Sequence, residues 1–244
     1  MLSEEKSVKG CYSRFEREML DEPKTVRIKF CKTGSLQFIS HLDLQRTFHR
    51  ILVRAGIPMW YTKGFNPHAK LVFGAPLSVG CESFCEMADL KIERKITFEE
   101  IKNQLNACLT DEMYVLDVYK PENKFNDIAF ADYTIKVKSA LCTEETPAKI
   151  LELFASPVVM TKKTKSDEKE VDIREFIHAI DAKFVDGVLV INTVLATGSV
   201  ANLNPEYLVN ALRQNLGILS PDDVNQSYTI MRNAFFNADM SIFV

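Results

Sequence analysis

Residues 25–31 read Thr25-Val26-Arg27-Ile28-Lys29-Phe30-Cys31, and ten residues later His41 opens a run that stays amphipathic to Ala55. The first stretch alternates apolar and basic residues, which predicts a strand with one wet, positive face. In the second, Leu44, Phe48, Ile51, Leu52 and Ala55 fall on one helical stripe, while Arg46, Arg50 and Arg54 recur every fourth residue on another. Gly56 is placed to end this helix as a left-handed cap. Lys32-Thr33-Gly34-Ser35 makes the turn between the two elements.

Outward from this pair the same grammar continues. Ile57–Tyr61 reads as a short strand, 62–69 as a loop, and Lys70–Leu77 and Phe84–Ile92 as strands. Thr97 caps a helix through Leu109, with Glu99 and Glu100 in its first turn, before a strand at Met113–Tyr119. The order resembles the ferredoxin-like split β-α-β plan with an inserted hairpin. The second half restates it loosely, as a pattern of elements with no repeat in the sequence itself. Strands are expected at Asp132–Ser139 and Pro157–Thr161, and helices at Pro147–Phe154, Ile173–Ile180 and Asn204–Leu216. A hairpin at Lys183–Ala196 turns on Asp186-Gly187, and Ser227–Phe236 is the last strand. The expectation is an α+β chain of two tandem ferredoxin-like (βαββαβ) halves with antiparallel sheets: a polar extension over 1–23, a basic half over 24–121 and a second half over 131–244.

The 244 residues, 46% hydrophobic and 26% charged, suffice for a full core. The opening MLSEEKSVKG lacks the apolar core of a signal peptide, and no stretch approaches the ~20 apolar residues of a membrane span. A cytoplasmic location with no membrane partner is therefore expected, with the six cysteines as reduced, mostly buried thiols.

The net charge of −3 conceals an asymmetry. Between Lys24 and Gly80 nine Lys and Arg face one acid, Asp43, giving +8 and leaving −11 for the rest. Three of the four histidines, His41, His49 and His68, lie in the same window. Such a window points to an anionic partner. Within it, Ser40 and His41 open the arginine helix, whose first N–H groups favour an anion, and Asp43 is in reach of His41. The loop Gly64-Phe65-Asn66-Pro67-His68, flanked by Lys63 and Lys70, can offer Phe65 or His68 for stacking on a base, or can be an ordinary long loop. Gly198-Ser199 opens a capped helix that can hold a phosphate or serve only as a loop and cap. The anion-binding candidates are therefore Ser40, Arg46, Arg50, Arg54, Lys63, Phe65, Asn66, His68, Lys70, Gly198 and Ser199, with His41 as the candidate catalytic residue.

Other chemistries are excluded. Cys81-x3-Cys85 begins like the CxxxCxxC cluster motif of radical SAM enzymes, but Ala88 stands at the third position, and such a cluster needs three thiolates. Neither zinc spacing, P-loop, GxGxxG nor GxSxG occurs. No metal or cofactor is expected. The 162–170 charge run reads as a solvated hairpin tip.

Val26–Phe30, Gly34, Phe38–Leu44, Arg46, Phe48, Arg50, Arg54-Ala55-Gly56 and Pro58 resemble the first block of the radical SAM-linked protein family, a bacterial domain of unknown function. Gly64–His68, Lys70, Phe73, Pro76-Leu77 and Gly80 resemble its second block, and Gly198-Ser199, Asn202-Leu203 and Pro205 its weaker third. Cys81 and Cys85 lie outside the pattern. The resemblance implies a radical SAM protein as partner, beside or fused to such a domain, and no settled reaction. Combined with the charge window it leads to an accessory, substrate-recognition role toward RNA or another phosphate-bearing ligand. A metal-independent RNA-processing enzyme using His41, or a pure protein-interaction module, are the alternatives.

Overall fold

The computed structural model describes residues 17–163, 168–198 and 201–244. Over these residues it is a mixed α+β fold with four α-helices and a large, mostly antiparallel sheet of eight strands. The chain divides into two units, one of residues 17–30, 41–74 and 87–121, the other of 31–40, 75–86 and 122–244.

In the first unit, strand β1 (Met19–Lys32) contributes its residues up to Phe30. It starts six residues before the expected strand, so Met19–Lys24 are sheet rather than a loose extension; residues 1–16 lie outside the described ones. The expected wet face is also corrected. Arg27 is fully buried because Asp89 on a neighbouring strand accepts its Nε at 2.7 Å and its Nη2 at 2.9 Å. A paired, doubly hydrogen-bonded guanidinium can be enclosed where a lone one cannot.

Helix α1 (His41–Arg54) buries Leu44, Phe48 and Leu52, as the stripe predicts. Phe48 meets Phe30 at 4.6 Å and Phe73 edge-on at 5.3 Å. Gly56, at φ +68°, closes the helix: its N–H donates to Val53 O at 3.1 Å, and that of Ile57 to Leu52 O at 3.1 Å. The Ile57–Tyr61 strand reduces to single bridges, Met59 to Ile92 and Tyr61 to Ala69, because Pro58 interrupts any ladder. Strand β2 is only Leu71–Phe73, and β3 is longer than expected, Cys81–Arg94. Helix α2 (Phe98–Asn106) is capped by Thr97 and Glu100 in a reciprocal box, and β4 (Val115–Tyr119) pairs with β1. The hydrogen-bonded order is β4-β1-β3-β2, with one apolar core of Val26, Ile28, Leu52, Leu90, Ile101, Leu105 and Val118 under both helices.

The second unit contains β5 (Phe130–Lys138), α3 (Thr146–Leu153), a separate hairpin of β6 (Val159–Lys163) and β7 (Glu168–Asp172), β8 (Ile177–Val185), β9 (Val188–Ala196), α4 (Glu206–Leu216) and β10 (Ser227–Phe236). The helix expected at Ile173–Ile180 is one 3-10 turn, Ile173–Phe176. The chain then becomes strand, because β9 offers a partner along its whole length. The β8–β9 turn falls on Asp186 and Gly187, both at positive φ, as the hairpin signal requires. Strand order is β10-β5-β9-β8, and the first residues of β3 run parallel to β10.

Candidate functional site

Most of the predicted site residues fall in the first unit. On α1, the burial of Leu44, Phe48 and Leu52 turns Arg46, Arg50 and Arg54 to solvent. Arg46 is held at 3.2 Å by Asp43, an exposed pair of about 0.3–0.5 kcal/mol. Among the described residues Arg50, Arg54, Lys63 and Lys70 have no ion pair. His41 is half-buried; its ring stands edge-on to Phe73 at 5.6 Å, and its Nε2 meets the Gln45 amide at 3.1 Å.

The 62–68 loop is closed at its neck. Thr62 N donates to His68 O at 3.0 Å, His68 N donates to Thr62 Oγ1 at 3.1 Å, and Lys70 N reaches Trp60 O at 3.4 Å. The His68 Nδ1 lies 3.1 Å from Thr62 Oγ1 and 3.3 Å from Asn66 O. A proton on Nδ1, donated to Asn66 O, leaves Nε2 as an outward acceptor. Phe65 at the tip is fully exposed, with Lys63, Asn66, His68 and Lys70 exposed around it. A phenylalanine gains nothing from solvent, so a bare ring on a pinned loop is the feature a stacking partner would use. Thr62, which pins the loop, was not singled out by the sequence; its place one residue before Lys63 gave no distinguishing signal.

Three predicted contributors stand apart. Ser40 belongs to the second unit and is half-buried. Gly198 also lies there, and a Cβ on it would come 2.8 Å from Ile128 O, so close packing accounts for the glycine. Ser199 lies outside the described residues. The basic window also shrinks: Arg27 and Lys32 are buried, leaving seven of its nine cations for solvent.

None of the described cysteines is in a disulfide; Cys31, Cys81, Cys85 and Cys142 are buried and Cys108 is half-buried. Burial pushes the Cys81 thiol up to about 12, so it carries no thiolate at neutral pH. Among the described residues no group of three or more His, Cys, Asp or Glu is arranged to hold a metal ion, and no helix is long and apolar enough to cross a membrane.

The second unit buries a polar group that the sequence did not disclose: Lys32, Ser83, Glu86, Tyr133 and Arg232. The one available signal was that Arg232 keeps phase with Ile230 on an alternating strand, an inward position for a charged residue.

Fold and exposed arginine row together define a mixed α+β protein with a candidate anion-binding face. The model of a family of uncharacterized proteins conserved in bacteria, DUF2344, matches residues 25–205, and the chain belongs to that family. No curated protein matches it. Among solved structures it is similar to a chain of a Cbf5–Nop10–Gar1 complex, at 9% identity and TM-score 0.46, over 86% of this chain and 48% of that one, about half its length. An unknown protein from Galdieria sulphuraria is similar at 9% identity and TM-score 0.24, over 86% of this chain and 99% of the other. DyPB from Rhodococcus jostii RHA1 is similar at 10% identity and TM-score 0.20, over 88% and 94%. At these scores the likenesses carry no argument about function.

Proposed function

We propose that this protein is an accessory, substrate-recognition protein that binds an anionic ligand, RNA first among candidates, through the exposed residues of α1 and of the 62–68 loop. One observation carries the reading. Among the described residues Arg50, Arg54, Lys63 and Lys70 are exposed without an ion pair, in the same unit that holds a fully exposed Phe65. Unpaired cations supply the phosphate contacts, and an exposed ring supplies a stacking surface that every base fits. His68 Nε2 and the Asn66 side chain add acceptors and donors for a base edge.

Two finer statements belong to the same proposal. The strand orders β4-β1-β3-β2 and β10-β5-β9-β8 each follow fourth-first-third-second counting, which supports reading the chain as tandem ferredoxin-like halves, the second carrying the β6–β7 hairpin as an insertion. The partner is a separate radical SAM enzyme, a proposal motivated by the residue blocks at 26–58 and 64–80.

The test is fluorescence anisotropy with a labelled single-stranded RNA, for wild type and Arg46→Ala/Arg50→Ala/Arg54→Ala, at two salt concentrations. Salt-sensitive binding that the triple variant loses is the expected result. Absence of binding by the wild type, or binding indifferent to salt, overturns the RNA reading. The same RNA recovered intact argues against cleavage through His41.

A further inference from the structure

The second unit's sheet carries a row of polar side chains through its buried face. The register sets Ser83 of β3 beside Arg232 of β10, Arg232 beside Tyr133 of β5, and Tyr133 beside Thr193 of β9. All four are buried. The neighbouring row of Cys81, Ile230, Ile135 and Ile191 is apolar apart from its thiol. A bulge follows Arg232, between it and Ala234, the kind of irregularity that re-aims a side chain next to a site.

Arg232 is only partly satisfied. Its Nη2 donates to Glu86 Oε1 at 2.5 Å and to Ala75 O at 2.9 Å, and the Phe235 ring covers one face at 4.4 Å. Nε and Nη1 are buried without a well-aligned hydrogen bond, although the Tyr133 hydroxyl on the adjacent strand acts on the same guanidinium. Lys32, 1% exposed, joins the same field: it interacts electrostatically with Glu86, Cys81 and Arg232, and its ammonium has one hydrogen bond, to Gln37 O at 3.3 Å. Burial works against the Lys32 charge and lowers its pKa. Among the described residues of this unit the fully buried charges are thus two cations and one carboxylate, and the half-buried Glu206, which accepts from Tyr228, also acts on Cys81.

An uncompensated buried cation with idle donors costs several kcal/mol unless an acceptor completes it. A purely structural core would do better with methionine or leucine at position 32. The turn Gly34–Phe38 lies over the lysine's hydrogen bond and borders solvent: Ser35 and Phe38 are exposed, and the turn is tied down through Gly34 N to Glu82 at 2.7 Å and through Gly80 N to Gln37 O at 2.9 Å.

We propose that this cluster is a ligand site in which Lys32 and Arg232 grip a small oxyanion, the carboxylate or phosphate group of a metabolite-sized molecule. It shares no residue with the exposed arginine row. The excess positive charge sets the ligand's sign, and the idle N–H donors set its chemistry, which is oxygen acceptors.

The experiment is thermal unfolding of the intact chain against rising acetate and, separately, inorganic phosphate, at ionic strength held constant with sodium chloride. Wild type is expected to gain roughly 5–10 °C once the probe exceeds its dissociation constant about 100-fold. A response to acetate alone assigns a carboxylate, and a response to phosphate alone a phosphate. Lys32→Met should melt no lower than wild type without probe and lose the rise. Glu86→Gln, which keeps a hydrogen-bond acceptor for Arg232 but removes the internal counter-charge, should bind about tenfold more tightly. The Arg46/Arg50/Arg54 triple variant should respond like wild type, so the outcome is independent of RNA binding. No rise with either probe, or a rise that Lys32→Met retains, overturns the proposal.

Discussion

Cys81 and Lys32 sit in one buried field but move stability with pH in opposite directions. The Cys81 pKa is raised by burial, and further by Glu206, to about 12. Between about 9 and 12 the folded state therefore holds a proton that the unfolded chain releases, and stability falls as pH rises. Lys32 is lowered by burial, so below 10.5 the unfolded chain binds the extra proton, and stability rises with pH up to that value. Cys81→Ala should remove an alkaline loss of about 1.4 kcal/mol per pH unit. Urea unfolding at pH 8, 9 and 10 reads this as curves that diverge between wild type and variant; parallel curves would mean the thiol is not buried in solution. Neither residue's surroundings were legible in the sequence. Lys32 looks like the first residue of a turn, and Arg27 like the wet half of an alternating strand. Their fates depend on Glu86, Arg232 and Asp89, residues 54 to 200 positions away, and local periodicity has no access to such partners.

Elements were legible where local chemistry decides them. The α1 stripe, the Gly56 stop, the Thr97 cap, the Asp186-Gly187 turn and β10 all follow from residues within one turn or one strand of each other. Two of the misread segments, Ile173–Ile180 and Ile57–Tyr61, lie where a distant strand or a proline settles the matter. Local control of this kind makes a testable claim. Gly56 sits at φ +68°, where an added Cβ is disfavoured, so Gly56→Ala should cost about 1–2 kcal/mol. Thr97→Ala loses the acceptor for the Glu100 N–H at 3.1 Å and should cost about 1 kcal/mol. Chemical denaturation measures both, and a double variant should show near-additive losses, since the caps belong to different helices. Phe48→Ala, at the centre of the Phe30–Phe73 aromatic contact, should cost about 3–5 kcal/mol. A loss below 1 kcal/mol would mean α1 is not docked through that ring.

At the scale of the whole molecule, charge is the property that most separates one stretch of this acidic chain from the rest. Its net value of −3 disfavours nucleic acid at long range, so any RNA affinity has to come from a local concentration of cations. Two of the window's nine basic residues are internal, which lowers the effective charge of the face below the +8 that the sequence suggests. Binding should therefore release few counterions. If Arg46, Arg50, Arg54, Lys63 and Lys70 each neutralise one phosphate, the slope of log K against log salt is about −3.5 for single-stranded RNA. Removing the three arginines should bring it to about −1.4, whereas Phe65→Ala should leave the slope unchanged and weaken binding uniformly by about 1–3 kcal/mol. This separation of slope from intercept distinguishes a phosphate-gripping helix from a stacking loop. A steeper wild-type slope would show that cations outside this face contribute, and a Phe65→Ala variant with wild-type affinity would leave the exposed ring to a protein partner instead.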